Sequence, residues 1–350
     1  MGRDHPPLMY RKHLKCSIKP THTESAPSAA PPLKFNVPEN ALPSVAGPAT
    51  QATVPKNSRN SSTKPLNEKW PACPSIEFDM ETTFRLTIEY LGTPYAGWQI
   101  QPDQPTVQQT IQECLTRMVT RPVTVTASGR TDAGVHAVGQ VAHFKAETAI
   151  TAEKFQDALN SMLPDSITIH ECRTSDDDFH ARFDAKRKRY TYRIINRPLA
   201  PAVNADTFWQ IRNPLDIAAM KTAAAHLVGT HDFKAFEGTG SPRATTVRTM
   251  DEACVHDHGD GLITLTFCGS GFLKFMVRNL VGTLVDVGLS RTTPDAFKGI
   301  LESCNRAKAG ATAPPQGLFL VRVEYDDVPH TPRKFIDSPL YPAGLWLGPC

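Results

Sequence analysis

Residues 84–91 read FRLTIEYL, in which Phe84, Leu86, Ile88 and Tyr90 alternate with Arg85, Thr87 and Glu89. A period of two predicts a strand with one buried face. Downstream, Thr106 and Gln109 form a T-x-x-Q capping box, and Val107, Ile111, Cys114, Leu115 and Met118 share one side of the helix it opens. The Val- and Thr-rich run Pro122–Ala127 predicts a second strand, and Gln140–Lys145 a third. Thr151 caps a helix carrying Phe155, Leu159, Met162 and Leu163, and Ile167–Cys172 follows as a strand. The order βαββαβ is the split, ferredoxin-like unit.

That order then recurs. Lys186–Ile195 predicts a strand, and Asn213 and Pro214 open a helix with Ile217, Met220, Ala224 and Leu227, closed near Gly229. Strands Thr246–His256 and Leu262–Phe267 flank a DHGDG turn. Helix Phe272–Val287, a shorter helix Pro294–Ser303 and strand Leu318–Tyr325 complete a βαββααβ series. The expected fold class is α+β. Two ferredoxin-like (split βαβ) halves, residues 80–183 and 184–328, would adjoin through their antiparallel sheets, with helices on one face. The other face would stay open, as it does in RNA-binding modules of the RRM type.

Residues 1–79 hold thirteen of the thirty prolines and much Ser, Ala and Thr, without sustained periodicity. Such a segment buries too little apolar surface to offset chain entropy, so a disordered N-terminal tail is expected. It lacks the apolar core of a secretory signal. Its basic start, RKHLKCSIK, has the charge of an organelle transit peptide, but the frequent prolines oppose an amphipathic helix. Residues 329–350 read as a C-terminal tail.

The net charge of +3 is uneven: residues 1–79 carry ten basic and six acidic side chains, leaving 28 basic and 29 acidic for the rest. A body so near neutrality binds nucleic acid only through a local basic face. The eight cysteines are scattered without a C-x-x-C pair. They suggest neither a zinc site nor a disulfide framework, which fits packing roles in a reducing, cytoplasmic compartment. Met276–Leu289 is apolar but interrupted by Arg278, Asn279 and Asp286, short of a membrane span.

Between the second and third strands lies SGRTDAGVHAVGQVAHF, Ser128–Phe144. Arg130 and Asp132 stand two apart and would point to one side of an extended segment. A neighbouring arginine favours the ionised carboxylate. One carboxylate without a second acid suggests a nucleophile or a lone base, although a clamped turn is the plainer reading. Tyr190 and Tyr192 alternate with Arg189, Thr191 and Arg193 along their strand. Lys186, Arg187, Lys188, Arg189 and Arg193 make a basic stripe suited to phosphates, or else a solvated strand edge. Arg278, in an apolar helix with no carboxylate one turn away, is costly unless paired or snorkelling to solvent. His136, His143, His170 and His180 match no zinc ligand spacing. The chain has no P-loop, and GSG at Gly269–Gly271 lacks the third glycine of a dinucleotide site.

The segment GRTDAGVHAVGQ (Gly129–Gln140) resembles the motif around the catalytic aspartate of the TruA-type tRNA pseudouridine synthases. YAGWQ (Tyr95–Gln99), FHARF (Phe179–Phe183), KRYTYRI (Lys188–Ile194), GTHDFKAF (Gly229–Phe236), GFLKFMVRNLVG (Gly271–Gly282) and APPQGLFLVRV (Ala313–Val323) are similar to that family in the same order. The resemblance spans about Phe84 to Tyr325. It implies a central RNA-binding cleft between the halves, a homodimer, and tRNA as partner. The implied reaction isomerises uridine to pseudouridine in the anticodon stem-loop, at tRNA positions 38–40, through the Asp132 carboxylate. That reaction breaks N1–C1′ and joins C1′ to C5 without redox change, so no cofactor is implied. The base has to leave its stack to be rotated.

By the same matching, Asp132, Tyr190, Arg278 and Arg130 are the implied catalytic residues. Tyr190 would stack on the base or transfer a proton, Arg278 would pair with Asp132, and Arg130 would help hold the flipped nucleotide. Leu318, Lys188 and Arg189 would contact the substrate. Phe275 departs from the polar residue that many relatives carry there. A non-catalytic RNA-binding protein or chaperone of the same fold is the rival reading, and a synthase acting on another RNA the third. The resemblance starts just after Met80, leaving translation from Met80 or a dispensable leader as alternatives.

Overall fold

The computed structural model describes residues 81–199, 201–240 and 244–326, so the expected tails and Met80 lie outside the described residues. The first series is β1 (Thr82–Tyr90), α1 (Val107–Val119), β2 (Thr126–Ala127), β3 (His136–Ala146), α2 (Ala152–Met162) and β4 (Ile167–Ser175). The second is β5 (Arg187–Asn196), β6 (Trp209–Ile211), α3 (Ile217–Ala225), β7 (Gly229–Asp232), β8 (Val247–Asp257), β9 (Leu262–Gly269), α4 (Met276–Gly288), α5 (Pro294–Glu302) and β10 (Leu318–Glu324).

All ten strands join one sheet in the order β4-β1-β3-β10-β5-β9-β8-β7, with β2 beside β3 and β6 beside β5. The expected α+β class holds. The first series keeps the ferredoxin-like order, and the second repeats it as β8-β9-β5-β10. The seam between them is a short parallel contact, Phe319 opposite His136 and Leu320 opposite Ala137.

Several boundaries differ from the expected ones. The second strand shrinks to two residues, and β3 begins four residues before Gln140. Asp216, not Asn213, caps α3, its carboxylate accepting from Ala219 N–H at 2.9 Å. α4 starts at Met276 instead of Phe272 because Phe275 sits at φ +59°, outside the right-handed region. Strands β6 and β7 had no clear sequence signal.

Helices cover one face of the sheet. Phe84 packs on Phe144 of β3 and on Phe155 of α2, with ring centroids 5.1 and 4.9 Å away. An extra residue in β3 between the pairs Ile88–Gln140 and Tyr90–Ala137 keeps Gln140 and Ala137 both on this helical face. The opposite face is not open along β1, contrary to the expected alternation: Thr83, Arg85 and Thr87 are buried too. The turn after β4 and the end of β10 supply the cover. Arg85, only 1% exposed, lies between the rings of Phe179 (4.7 Å) and Tyr325 (4.1 Å). A cation between two aromatic faces keeps a favourable electrostatic environment there.

Cys114, Cys172 and Cys268 are buried free thiols. Among the described residues no helix is long and apolar enough to cross a membrane.

Candidate active site

The loop between β2 and β3 is held from beneath, residue by residue. Ser128 Oγ donates to Gln140 Oε1 at 2.7 Å, and Gln140 Nε2 returns a bond to Gly129 O at 2.9 Å. Tyr90 Oη and Thr131 Oγ1 share a 2.8 Å bond, and Trp98 N–H donates to Thr131 O at 3.1 Å. Gly97, at φ +100°, lets the chain press against this loop, where an added Cβ would meet Thr131 O at 2.7 Å. Gly134, at φ +74°, makes the turn back into β3. These contacts come from the helical face of β1 and β3.

Asp132 projects from this support towards the start of α4. Its Oδ2 accepts from Arg278 Nη1 at 3.3 Å, with the carboxylate 29% and the guanidinium 14% exposed. Arg278 is fixed in turn by its Nε, which donates to Ala313 O at 2.7 Å, while Ala313 N–H donates to Arg278 O at 3.0 Å. The ring of Phe275 lies 5.1 Å from the Arg278 guanidinium and 5.1 Å from Lys274 Nζ. Phe275 thus meets the arginine where a polar side chain was expected. Burial raises the Asp132 pKa above the ordinary carboxylate value, opposed by the nearby charges of Arg278 and Lys274.

Tyr190 and Lys188 reach the same face from β5, two residues apart. Tyr190 is 8% exposed, packs edge-on to Phe272 at 5.0 Å, and has a pKa raised by burial, then by Tyr90 and Asp132. Its phenol is therefore a proton carrier at neutral pH. Lys188 Nζ donates to Ser128 O at 2.6 Å, directly under the loop. Burial, with the charge of Arg182, lowers its pKa to about 8. Tyr192 is core, donating to Pro314 O at 2.7 Å. Gly317 gives it room, since a Cβ there would come within 2.7 Å of the ring. Leu318, buried, stands opposite Tyr192 at the start of β10.

The remaining sequence candidates separate. Arg130 is exposed and has no partner among the described residues. Arg189 points away from Lys188 and pairs with Glu252 at 2.9 Å. The basic stripe is largely committed: Lys186 to Asp326 (2.8 Å), Arg187 to Asp251 (3.2 Å), and Arg193 to Thr207 Oγ1 (3.0 Å). Beyond Arg278, positive charge near the carboxylate comes instead from the exposed Lys274. Sequence reasoning passed over Lys274, four residues before Arg278, and Tyr90, whose hydroxyl was hidden in a strand pattern. It also passed over His136. Gly92 N–H donates to His136 Nδ1 at 3.0 Å, which leaves Nε2 to donate to Asp206 O (3.0 Å) and Gln316 O (3.1 Å). Burial lowers the His136 pKa, and the neutral ring stacks on Phe319 at 4.6 Å beside the seam.

Among the described residues no three His, Cys, Asp or Glu side chains gather into a metal-binding group. A family model described as tRNA pseudouridine synthase matches residues 86–184 and 223–326, which include Asp132, Arg278 and Leu318. The chain belongs to the TruA-type tRNA pseudouridine synthase family. It is 45% identical over 240 residues to tRNA pseudouridine synthase A of Thermoanaerobacter sp. (strain X514), covering 69% of this chain and 98% of that protein. To tRNA pseudouridine synthase A of Geotalea uraniireducens (strain Rf4) it is 46% identical over 241 residues, again covering 69% and 98%. The match spans nearly the whole length of these relatives, and the family model begins at residue 86 of this chain. Members of the family are isomerases, so the chemistry to be explained is a rearrangement of a nucleotide.

Proposed function

We propose that this protein isomerises uridine to pseudouridine in the anticodon stem-loop of tRNA, using Asp132 without a cofactor. The observation that carries the reading is the Asp132–Arg278 ion pair, 3.3 Å long, on a loop braced from the helical face beside Tyr190. A protein that only bound RNA would gain nothing by holding a half-buried carboxylate towards a polyanion. That disfavours the non-catalytic rival.

In this reading residues 80–183 supply the acid and residues 184–328 supply Tyr190, Arg278 and Leu318. The extruded uridine enters between them. Arg278 keeps Asp132 ionised despite its burial, so the carboxylate can attack C1′ or the base, or take a sugar proton. The protonated Tyr190 stacks on the detached uracil or carries a proton for it. Leu318 lines the base pocket and Arg130 reaches for the backbone that the flipped nucleotide leaves. Lys188 and Arg189 remain candidates for substrate contact. The protein would work in the cytoplasm as a homodimer.

The test is to map pseudouridine in unmodified tRNA after incubation with wild type and Asp132→Asn. Wild type should convert uridines of the anticodon arm, while the variant should bind tRNA and convert at least about a thousandfold more slowly. Equal conversion by both proteins would remove Asp132 from the mechanism. Conversion confined to another RNA would move the substrate assignment and keep the chemistry.

A further inference from the structure

Phe183 is 73% exposed, on a turn whose backbone is tied down by hydrogen bonds. His180 N–H donates to Asp184 Oδ2 at 2.7 Å, and His180 Nδ1 accepts from the N–H groups of Arg182 (3.1 Å) and Phe183 (3.2 Å). Ala181 N–H donates to His143 Nδ1 at 3.1 Å, and Tyr325 Oη donates to Ala181 O at 2.6 Å. The turn is thus pinned to β3 and to the end of β10. The imidazole of His180 lies 4.2 Å from the Phe183 ring at 31°, and the Arg182 guanidinium lies 5.6 Å from it. An exposed phenylalanine on a pinned turn, backed by an imidazole and flanked by a cation, has the parts of a base-stacking platform.

Its position and charge favour one occupant. Arg182 is near enough to Lys188 to help lower its pKa, and Lys188 Nζ holds Ser128 O in the Asp132 loop. Arg182 and Arg130 are exposed cations near this margin of the candidate site. An apolar dimer contact would not be served by such charges, whereas a polyanion carrying unstacked bases would be. We infer that Phe183, with His180 and Arg182, is a stacking site for an unpaired base of the RNA outside the reacting nucleotide's pocket. This rests on the functional reading above and extends it to a second contact.

The experiment compares wild type, Phe183→Ala and Phe183→Trp by tRNA binding, by steady-state conversion, and by sedimentation of the free proteins. Phe183→Ala should weaken binding and raise KM by roughly tenfold, with kcat within about twofold, because one base loses its stack. Phe183→Trp should restore binding. The salt dependence of binding should keep its slope, since no phosphate contact is removed. Unchanged affinity in Phe183→Ala overturns the inference. So does a change in sedimentation on that substitution, which would give the face to a second copy of the chain. Binding reads the platform without turnover. A wild type that binds tRNA but converts no uridine would therefore sink the enzymatic reading and leave this one standing.

Discussion

The two faces of β5 both carry positive charge and use it differently. On the helical face, Lys188 and Tyr190 turn inward, one to the carbonyl of Ser128 and the other to the neighbourhood of Asp132. On the far face, Arg189 is paired with Glu252 and Arg193 is bonded to Thr207. A stripe of positive charge in sequence is therefore not a stripe of positive charge on a surface. A strand sends neighbours to opposite sides, and each side supplies its own partners. Asp132, the proposed catalytic acid, meets an arginine of helix α4, on the helical side and not on the face expected to resemble an open RNA-binding sheet.

The sharpest way to break this contrast is at Arg278. Arg278→Met should lower kcat/KM by about a hundredfold or more, as the loss of a preorganised charge at a reacting centre does. The pH profile gives the sign. Burial already holds the Asp132 pKa above its ordinary value of about 4, and Arg278 works against that shift. Removing the arginine raises the pKa further, so the acid limb of kcat/KM should move to higher pH. A limb that stays in place would detach the pair from activity.

Next comes the pair Lys188→Met and Arg189→Met. The first leaves Ser128 O without its donor, at a cost of about 1–3 kcal/mol, and slackens the Asp132 loop. A fall of about tenfold in kcat is expected if that looseness reaches the carboxylate. The second removes the Arg189–Glu252 pair on the far side and should show in thermal stability more than in turnover. Reversed outcomes would invert the assignment of the two faces.

Gly97→Ala tests the bracing itself. With φ at +100° and Thr131 O 2.7 Å from the added carbon, it should cost about 1–3 kcal/mol and lower activity in step. The smallest effect belongs to His143, on the far face opposite Arg85. Burial first, then His180, lowers its pKa to about 4, below the unfolded value of 6.5. Its contribution to stability is therefore present above about pH 6.5 and is lost as pH falls towards 4. His143→Gln should flatten the acid side of a melting-temperature profile, while wild type keeps the slope.

The alternation of FRLTIEYL, the capping threonines and the repeated element order made the α+β plan legible, because each is a local signal that tertiary packing reinforced. Asp132, Tyr190 and Arg278 could be named from their motifs. Other features lay beyond reach because they are set by distant chain. Arg85 is buried only because Phe179 and Tyr325 arrive from two other segments. The Asp132–Arg278 pair, 146 positions apart, was legible only through the family resemblance and not from spacing, because it too is made by distant chain. The start of α4 moved because Phe275 takes a left-handed backbone, which its side chain does not announce.

The seam between β3 and β10 consists of two residue pairs, with His136 bonded across it. So brief a joint yields to bending more readily than the long antiparallel ladders on either side of it. The acid hangs from one side of that joint and its arginine from the other. Lys188 and Tyr325 bond across from the second half as well, so the distance between acid and arginine is set by that short weld together with these two ties.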